Sequence, residues 1–165
     1  MTLMLGLDPG PERSALVGLN ADGPTALRIL DENAVIRAKL EELEADEVWG
    51  YRILAIEIPQ PHRDFTPQSA IDTAVEAGRF IQVWRGPCRK IKRTDVKHHL
   101  YPHHKTKKHP DVPGADAGIR AVLLKRFGPK GTKASPGPMY GYKADLWQAL
   151  AVAVCAAETR EKGKP

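Results

Sequence analysis

Three acidic residues stand where the sequence is otherwise apolar. Asp8 closes the run Met4-Leu5-Gly6-Leu7, Glu57 sits within Leu54-Ala55-Ile56-Glu57-Ile58, and Asp145 precedes Leu146-Trp147-Gln148-Ala149-Leu150-Ala151-Val152. An unpaired carboxylate is costly to bury, so three such placements in one small chain point to a shared partner, most simply divalent metal. Hard oxygen donors suit Mg²⁺, with Mn²⁺ as its substitute. Without an ion, converging carboxylates repel and at least one keeps its proton. With two ions roughly 3.5–4 Å apart, one activates water and the other stabilises the leaving oxygen of a phosphodiester. Gln148 lies one turn after Asp145 on the same helical face, where its amide can lend a carbonyl ligand or orient water. Asp8, Glu57, Asp145 and Gln148 are therefore the candidate catalytic residues, the first three as metal ligands. Each also has a plainer alternative: a turn cap for Asp8, an ion pair for Glu57, the helix N-terminus for Asp145, a surface hydrogen bond for Gln148.

The elements that must position these residues follow from periodicity and breakers. Residues 2–9 read as a buried strand, Pro9-Gly10-Pro11 turns the chain, and 14–19 and 25–30 complete an antiparallel meander. Asp31 is expected to cap a helix over 32–46 whose stripe is Ile36, Leu40 and Leu43. Arg52 to Ile58 forms a fourth strand, and its unbroken apolar centre predicts burial on both faces. A second helix is expected over 67–84, with Ile71, Ala74, Val75, Gly78 and Ile81 at helical spacing. Residues 89–94 make a fifth strand followed by a short helix, 101–114 a loop, and 115–127 a helix ended by Gly128. An alanine-rich last helix spans about 143–160, ahead of a frayed tail. This order is that of a mixed five-stranded α/β sheet flanked by helices, of the ribonuclease-H-like kind. By analogy with that fold, the first and fourth strands lie side by side with Asp8 and Glu57 adjacent.

Bulk properties narrow the partners. The 165 residues fit one domain, the hydrophobic fraction of 42% is that of a folded protein, and no apolar run reaches bilayer length. Cys88 and Cys155 do not describe a disulfide framework, so a reducing, cytoplasmic setting is expected. The net charge of +5 is unevenly spread. Arg85, Arg89, Lys90, Lys92, Arg93, Lys97, Lys105, Lys107 and Lys108 fall within 85–109, while acids gather at 31–47. Such asymmetry suits a polyanion on one face, although a solvated basic loop would read the same way. The histidines of 98–109 have no cysteine nearby and fit phosphate contact or an open loop better than zinc.

On these residues the chain resembles the RuvC-type Holliday-junction resolvases, and more closely their shorter phage-type relatives. Leu5-Gly6-Leu7-Asp8-Pro9-Gly10 is similar to the opening motif of that family and Leu54-Ala55-Ile56-Glu57 to its second. Ala74-Val75-Glu76-Ala77-Gly78-Arg79 is similar to the helix that follows, and Asp145 with Ala149-Leu150-Ala151-Val152-Ala153 to the closing acidic helix. The resemblance implies a homodimeric, Mg²⁺-dependent endonuclease that nicks opposing strands of four-way DNA, in the cytoplasm of a bacterial or phage-infected cell. It implies metal ligation by Asp8, Glu57 and Asp145, a phosphate-contacting lysine at Lys92, and a base-stacking aromatic at Phe65. Two departures stand out. The family has a second acid where Gln148 stands, and a basic residue where Asp116 and Ala117 stand; the basic run with Lys130 and Lys133 is the compensation expected. The DNA-contact set is thus Phe65, Arg89, Lys90, Lys92, Arg93, Lys97, Lys105, Lys107, Lys108, Lys130 and Lys133. The competing readings are a related nuclease acting on flaps, other branched DNA or RNA–DNA hybrids, and a non-catalytic module that binds branched DNA. Tyr142 and Trp147 read as packing residues.

Overall fold

The computed structural model describes residues 2–46, 50–60, 67–103 and 113–159. Five strands form one mixed sheet: β1 (Thr2–Asp8), β2 (Arg13–Asn20), β3 (Gly23–Glu32), β4 (Tyr51–Ile58) and β5 (Cys88–Lys92), in the spatial order β3-β2-β1-β4-β5. The first three make the expected antiparallel meander, whereas β4 joins β1, and β5 joins β4, in parallel. The helices are α1 (Asn33–Ala45), α2 (Gln68–Val83), α3 (Arg93–Leu100), α4 (Ala115–Phe127) and α5 (Leu146–Glu158).

Period-two alternation divides the central strands between two cores. Leu3, Leu5 and Leu7 of β1, with Leu54 and Ile56 of β4, pack against α1 and α2 through Ile36, Leu40, Leu43, Ala77 and Phe80. Met4 and Ala55 turn the other way, into a core with α5 and with Val96, Ile119 and Leu123 of α3 and α4. Burial of β4 on both faces is as its apolar centre predicts. The same alternation carries Gly6, Asp8 and Glu57 to the α5 side. Gly6 is where α5 crosses β1: a Cβ there would collide with the Ala149 carbonyl oxygen and the Ala153 side chain. Alanines on α5 and glycine on β1 thus let the helix lie close on the sheet.

Three local expectations need correction. Asp31 does not cap α1; its carboxylate accepts the Glu32 N–H at 2.8 Å, and the helix starts without a side-chain cap. On α2 the buried face is Glu76, Ala77 and Phe80, while Ile71 and Val75 are about half exposed, at 46% and 50%. The helix carries two apolar stripes, and the one with the large aromatic fills the core. Finally α5 starts at Leu146, so Asp145 is its N-cap residue rather than part of its first turn.

Candidate functional site

The position of Asp8 is set by a polar brace that the sequence does not announce. Just beyond β1, the Gly10 N–H donates to Ser14 Oγ (3.1 Å), and Ser14 Oγ donates to Asn33 Oδ1 (2.6 Å). Asn33 Nδ2 in turn donates to the Gly10 and Pro11 carbonyls at 3.1 and 3.2 Å. Ser14 and Asn33 are both buried, so this network fixes the turn after Asp8 from β2 and from the first residue of α1. A buried polar network of this sort holds geometry because each broken bond would leave an unsatisfied group.

Glu57 reaches the same level from the neighbouring strand, since β1 and β4 pair in register up to Leu7 opposite Ile56. The third acid arrives over the sheet edge. Ala144 has φ of +42°, a left-handed conformation unfavourable for a residue with a Cβ, and this kink turns the chain from the 129–143 segment into α5. Asp145 follows at the N-cap and Gln148 on the first turn. Asp8, Glu57, Asp145 and Gln148 line one cleft of about 220 Å³ together with Arg93, Asp116, Ile119, Ala144 and Trp147. The four residues selected from the sequence are thus brought together from β1, β4 and the start of α5. A larger groove, about 940 Å³, lies between α1 and α2 and contains none of them.

The electrostatics of the cleft are those of acids short of counter-charge. Burial, then the nearby Glu57 and Asp145, push the Asp8 carboxyl up to about 8, with Arg93 only partly opposing them. Among the described residues no hydrogen bond or ion pair reaches that carboxyl. Burial also raises Glu57, against the cations Arg93 and Lys97. Glu57 Oε2 accepts from Gln148 Nε2 at 2.7 Å and lies 3.5 Å from Arg93 Nη1. The other guanidinium nitrogen, Nη2, is paired with Asp116.

This donor set fits a hard divalent cation: carboxylate oxygens from three elements, one neutral amide and little internal neutralisation. The side chains do not yet converge. No three acidic, histidine or cysteine side chains among the described residues stand close enough to hold one ion. Glu57 Oε2 is occupied by Gln148 and Arg93 instead.

The predicted DNA contacts separate into groups. Lys97, on α3, is the lysine whose charge acts on Glu57. Lys90 and Lys92 are exposed on β5 and alternate away from Ile91, which faces the α5 core. Lys92 therefore projects to the opposite side of the sheet from Glu57, and Lys97 is the lysine near the acids. Arg89 is turned inward as well: it donates to the Ala156 carbonyl and lies 3.4 Å from Thr159 Oγ1. Its charge complements the C-terminal end of α5. Lys130 sits 5.9 Å over the ring of Trp147, at the cleft wall, and Lys133 is exposed in the same loop. Phe65, Lys105, Lys107 and Lys108 lie outside the described residues.

Trp147 and Tyr142 are buried and meet in a tilted contact, ring centroids 5.3 Å apart and planes at 47°, as their packing role predicts. Sequence reasoning missed the Ser14–Asn33 brace and the place of Asp116 at the cleft. The signal for Asp116 was its departure from the basic residue of the resembling family.

Comparison with solved structures agrees with this fold. RuvC of T. thermophilus in complex with a Holliday junction substrate superposes with a TM-score of 0.60 over 95% of this chain and 93% of that one, at 16% identity. A second Thermus thermophilus RuvC structure gives 0.53 over 94% and 93%, at 19% identity. The fold is ribonuclease-H-like. No family model matches the chain, and no curated protein does. The likeness to RuvC is therefore one of architecture, carried by the order of strands and helices. Among the described residues no helix is long and apolar enough to cross a membrane.

Proposed function

We propose that the protein is a divalent-metal-dependent endonuclease that resolves four-way DNA junctions by paired nicks, acting as a homodimer. The observation that carries this reading is the meeting of Asp8, Glu57 and Asp145 in one cleft, on a fold shared with a RuvC that holds a Holliday junction. Asp8, Glu57 and Asp145 would hold the ions, and Gln148 would contribute its amide oxygen or orient water. When bound, Mg²⁺ or Mn²⁺ supplies Lewis acidity to the phosphodiester and an ionised water at neutral pH. To become a ligand, Asp8 gives up the proton that its surroundings favour, so ion binding is coupled to proton release. Lys97 and Arg93 offer phosphate contacts beside Glu57, Lys130 beside Trp147 and Lys133 in the same loop, and Lys90 and Lys92 extend the basic surface along β5. From the sequence alone, Phe65 is assigned to base stacking and Lys105, Lys107 and Lys108 to the backbone. Affinity should fall steeply with salt, because such contacts act through counterion release.

Two symmetric cuts need two equivalent sites related by a twofold axis. The exposed stripe of Ile71, Ala74, Val75 and Gly78 on α2 is apolar surface that a second copy would cover, and it supports the dimer. A second reading draws on Gln148 and on the lack of convergence among the acids: a module that binds branched DNA without cutting it.

Incubation with labelled junction, flap and RNA–DNA hybrid under Mg²⁺ or Mn²⁺ separates the readings. The proposal expects paired nicks at symmetric positions in the junction. Cutting confined to flaps or hybrids would transfer the activity to those substrates. Binding of branched DNA with no cutting under either ion would favour the non-catalytic module.

A further inference from the structure

Among the described residues, Arg93 is the cation within hydrogen-bonding reach of the acidic cleft, and it is shared. Its side chain is 26% exposed and spans two carboxylates of different character. One is Glu57, 15% exposed and a candidate ion ligand, approached at the loose distance of 3.5 Å. The other is Asp116, 81% exposed at the start of α4 and engaged through the second guanidinium nitrogen. Because the two partners use different nitrogens, Arg93 can leave Glu57 without losing its hold on Asp116. A divalent ion at Glu57 would repel the guanidinium by like charge and compete for the same carboxylate. The rest of the site favours such an exchange: Gln148 brings no charge of its own, so Arg93 supplies close compensation to Glu57.

We propose that Asp116 is a positioning residue of this cleft, holding Arg93 where it neutralises Glu57 in the absence of a divalent ion and drawing it aside when an ion binds. The inference rests on the ion-binding reading of the cleft and assigns Asp116 a role in it. Arg93 then acts as a resident competitor whose strength Asp116 sets. With Asp116 uncharged, the guanidinium leans on Glu57 alone and ions bind less readily. Without the guanidinium, only the direct field of Asp116 on Asp8 and Glu57 remains.

The test is calorimetric Mn²⁺ binding to the full chain without DNA, at about 0.15 M salt to screen the direct field of the exposed Asp116. Arg93→Met should tighten Mn²⁺ binding roughly tenfold, the order expected for removing one charge a few ångströms from the ligands at intermediate dielectric. Asp116→Asn should weaken it roughly fivefold, at the lower end of ordinary site-to-site coupling. In the Arg93→Met background the same Asp116→Asn change should have a clearly smaller effect, the part left to its direct field on the two acids, and Asp116→Glu should keep wild-type affinity. Asp116 is exposed and Arg93→Met keeps an aliphatic stem, so the variants should fold; matching circular dichroism and melting curves check this. Binding by Arg93→Met alone also supports the inference. Unchanged or weaker affinity in Arg93→Met, or equal weakening by Asp116→Asn in both backgrounds, overturns it while leaving the ion site standing. Failure of both wild type and Arg93→Met to bind Mn²⁺ overturns the ion site as well.

Discussion

Glu76 on α2 is buried between two arginines: Arg37 Nη1 meets one carboxylate oxygen and Arg79 Nη1 the other. Asp8, at the end of β1, is only partly withdrawn from water and is given acids for neighbours. Glu57 and Asp145 add to its burial in raising it, and only Arg93 offsets them from the cleft wall. The two treatments have different consequences. An acid neutralised on both oxygens joins α1 to α2 and has no capacity left for a ligand. An acid left without a partner costs stability, and the fold tolerates that cost where an exogenous cation can take the vacant oxygens. Glu76 is a joint, and Asp8 is the docking point in the function proposed above.

Stability against pH should break this comparison open if it is wrong. The Asp8 carboxyl titrates near 8 in the folded protein against an ordinary 3.8. Between those values the folded chain keeps a proton that the unfolded chain has released. Its contribution is therefore fully present below 3.8 and is lost as pH rises toward about 8. Asp8→Asn cannot titrate, so in EDTA its stability relative to wild type should climb across that window, by on the order of a few kcal/mol. Urea unfolding at pH 5 and pH 8 measures it. A difference that stays flat would mean that Asp8 is ionised and compensated in the fold.

The converse change is expected at the joint. Glu76→Gln should destabilise the fold by about 2 kcal/mol, a value held down by the partial exposure of both arginines. It should leave Mn²⁺ affinity untouched, and a loss of ion binding there would blur the distinction between the regions. The smallest effect concerns the backbone that delivers Asp145. Ala144 holds φ at +42°, so Ala144→Gly should raise stability by up to about 1 kcal/mol through relief of the Cβ clash. Thermal melts resolve a shift of that size.

The same contrast explains which features could be read from the sequence. Asp8 and Glu57 were legible because each breaks an apolar strand, and strand alternation then put both on the α5 side. Asp145 and Gln148 were legible from a one-turn spacing that needs no tertiary information. The burying face of α2 was not, because Ile71 and Val75 compete with Ala77 and Phe80 at equally good helical spacing. Only the shape of the sheet decides between them. The Ser14–Asn33 brace and the inward turn of Arg89 were hidden for a related reason. Each is a long-range polar contact whose partner, a carbonyl or a side-chain amide, carries no mark in the sequence.

The central claim is that Asp8 serves a metal-dependent cut rather than the fold or DNA binding. Cleavage and binding of a labelled four-way junction by wild type and Asp8→Asn, side by side under Mg²⁺, test it most directly. Cleavage should fall by roughly a thousandfold or more in the variant. Junction binding should persist or improve, since the substitution removes a negative charge from the cleft. Cleavage by Asp8→Asn at a rate close to wild type would contradict the account.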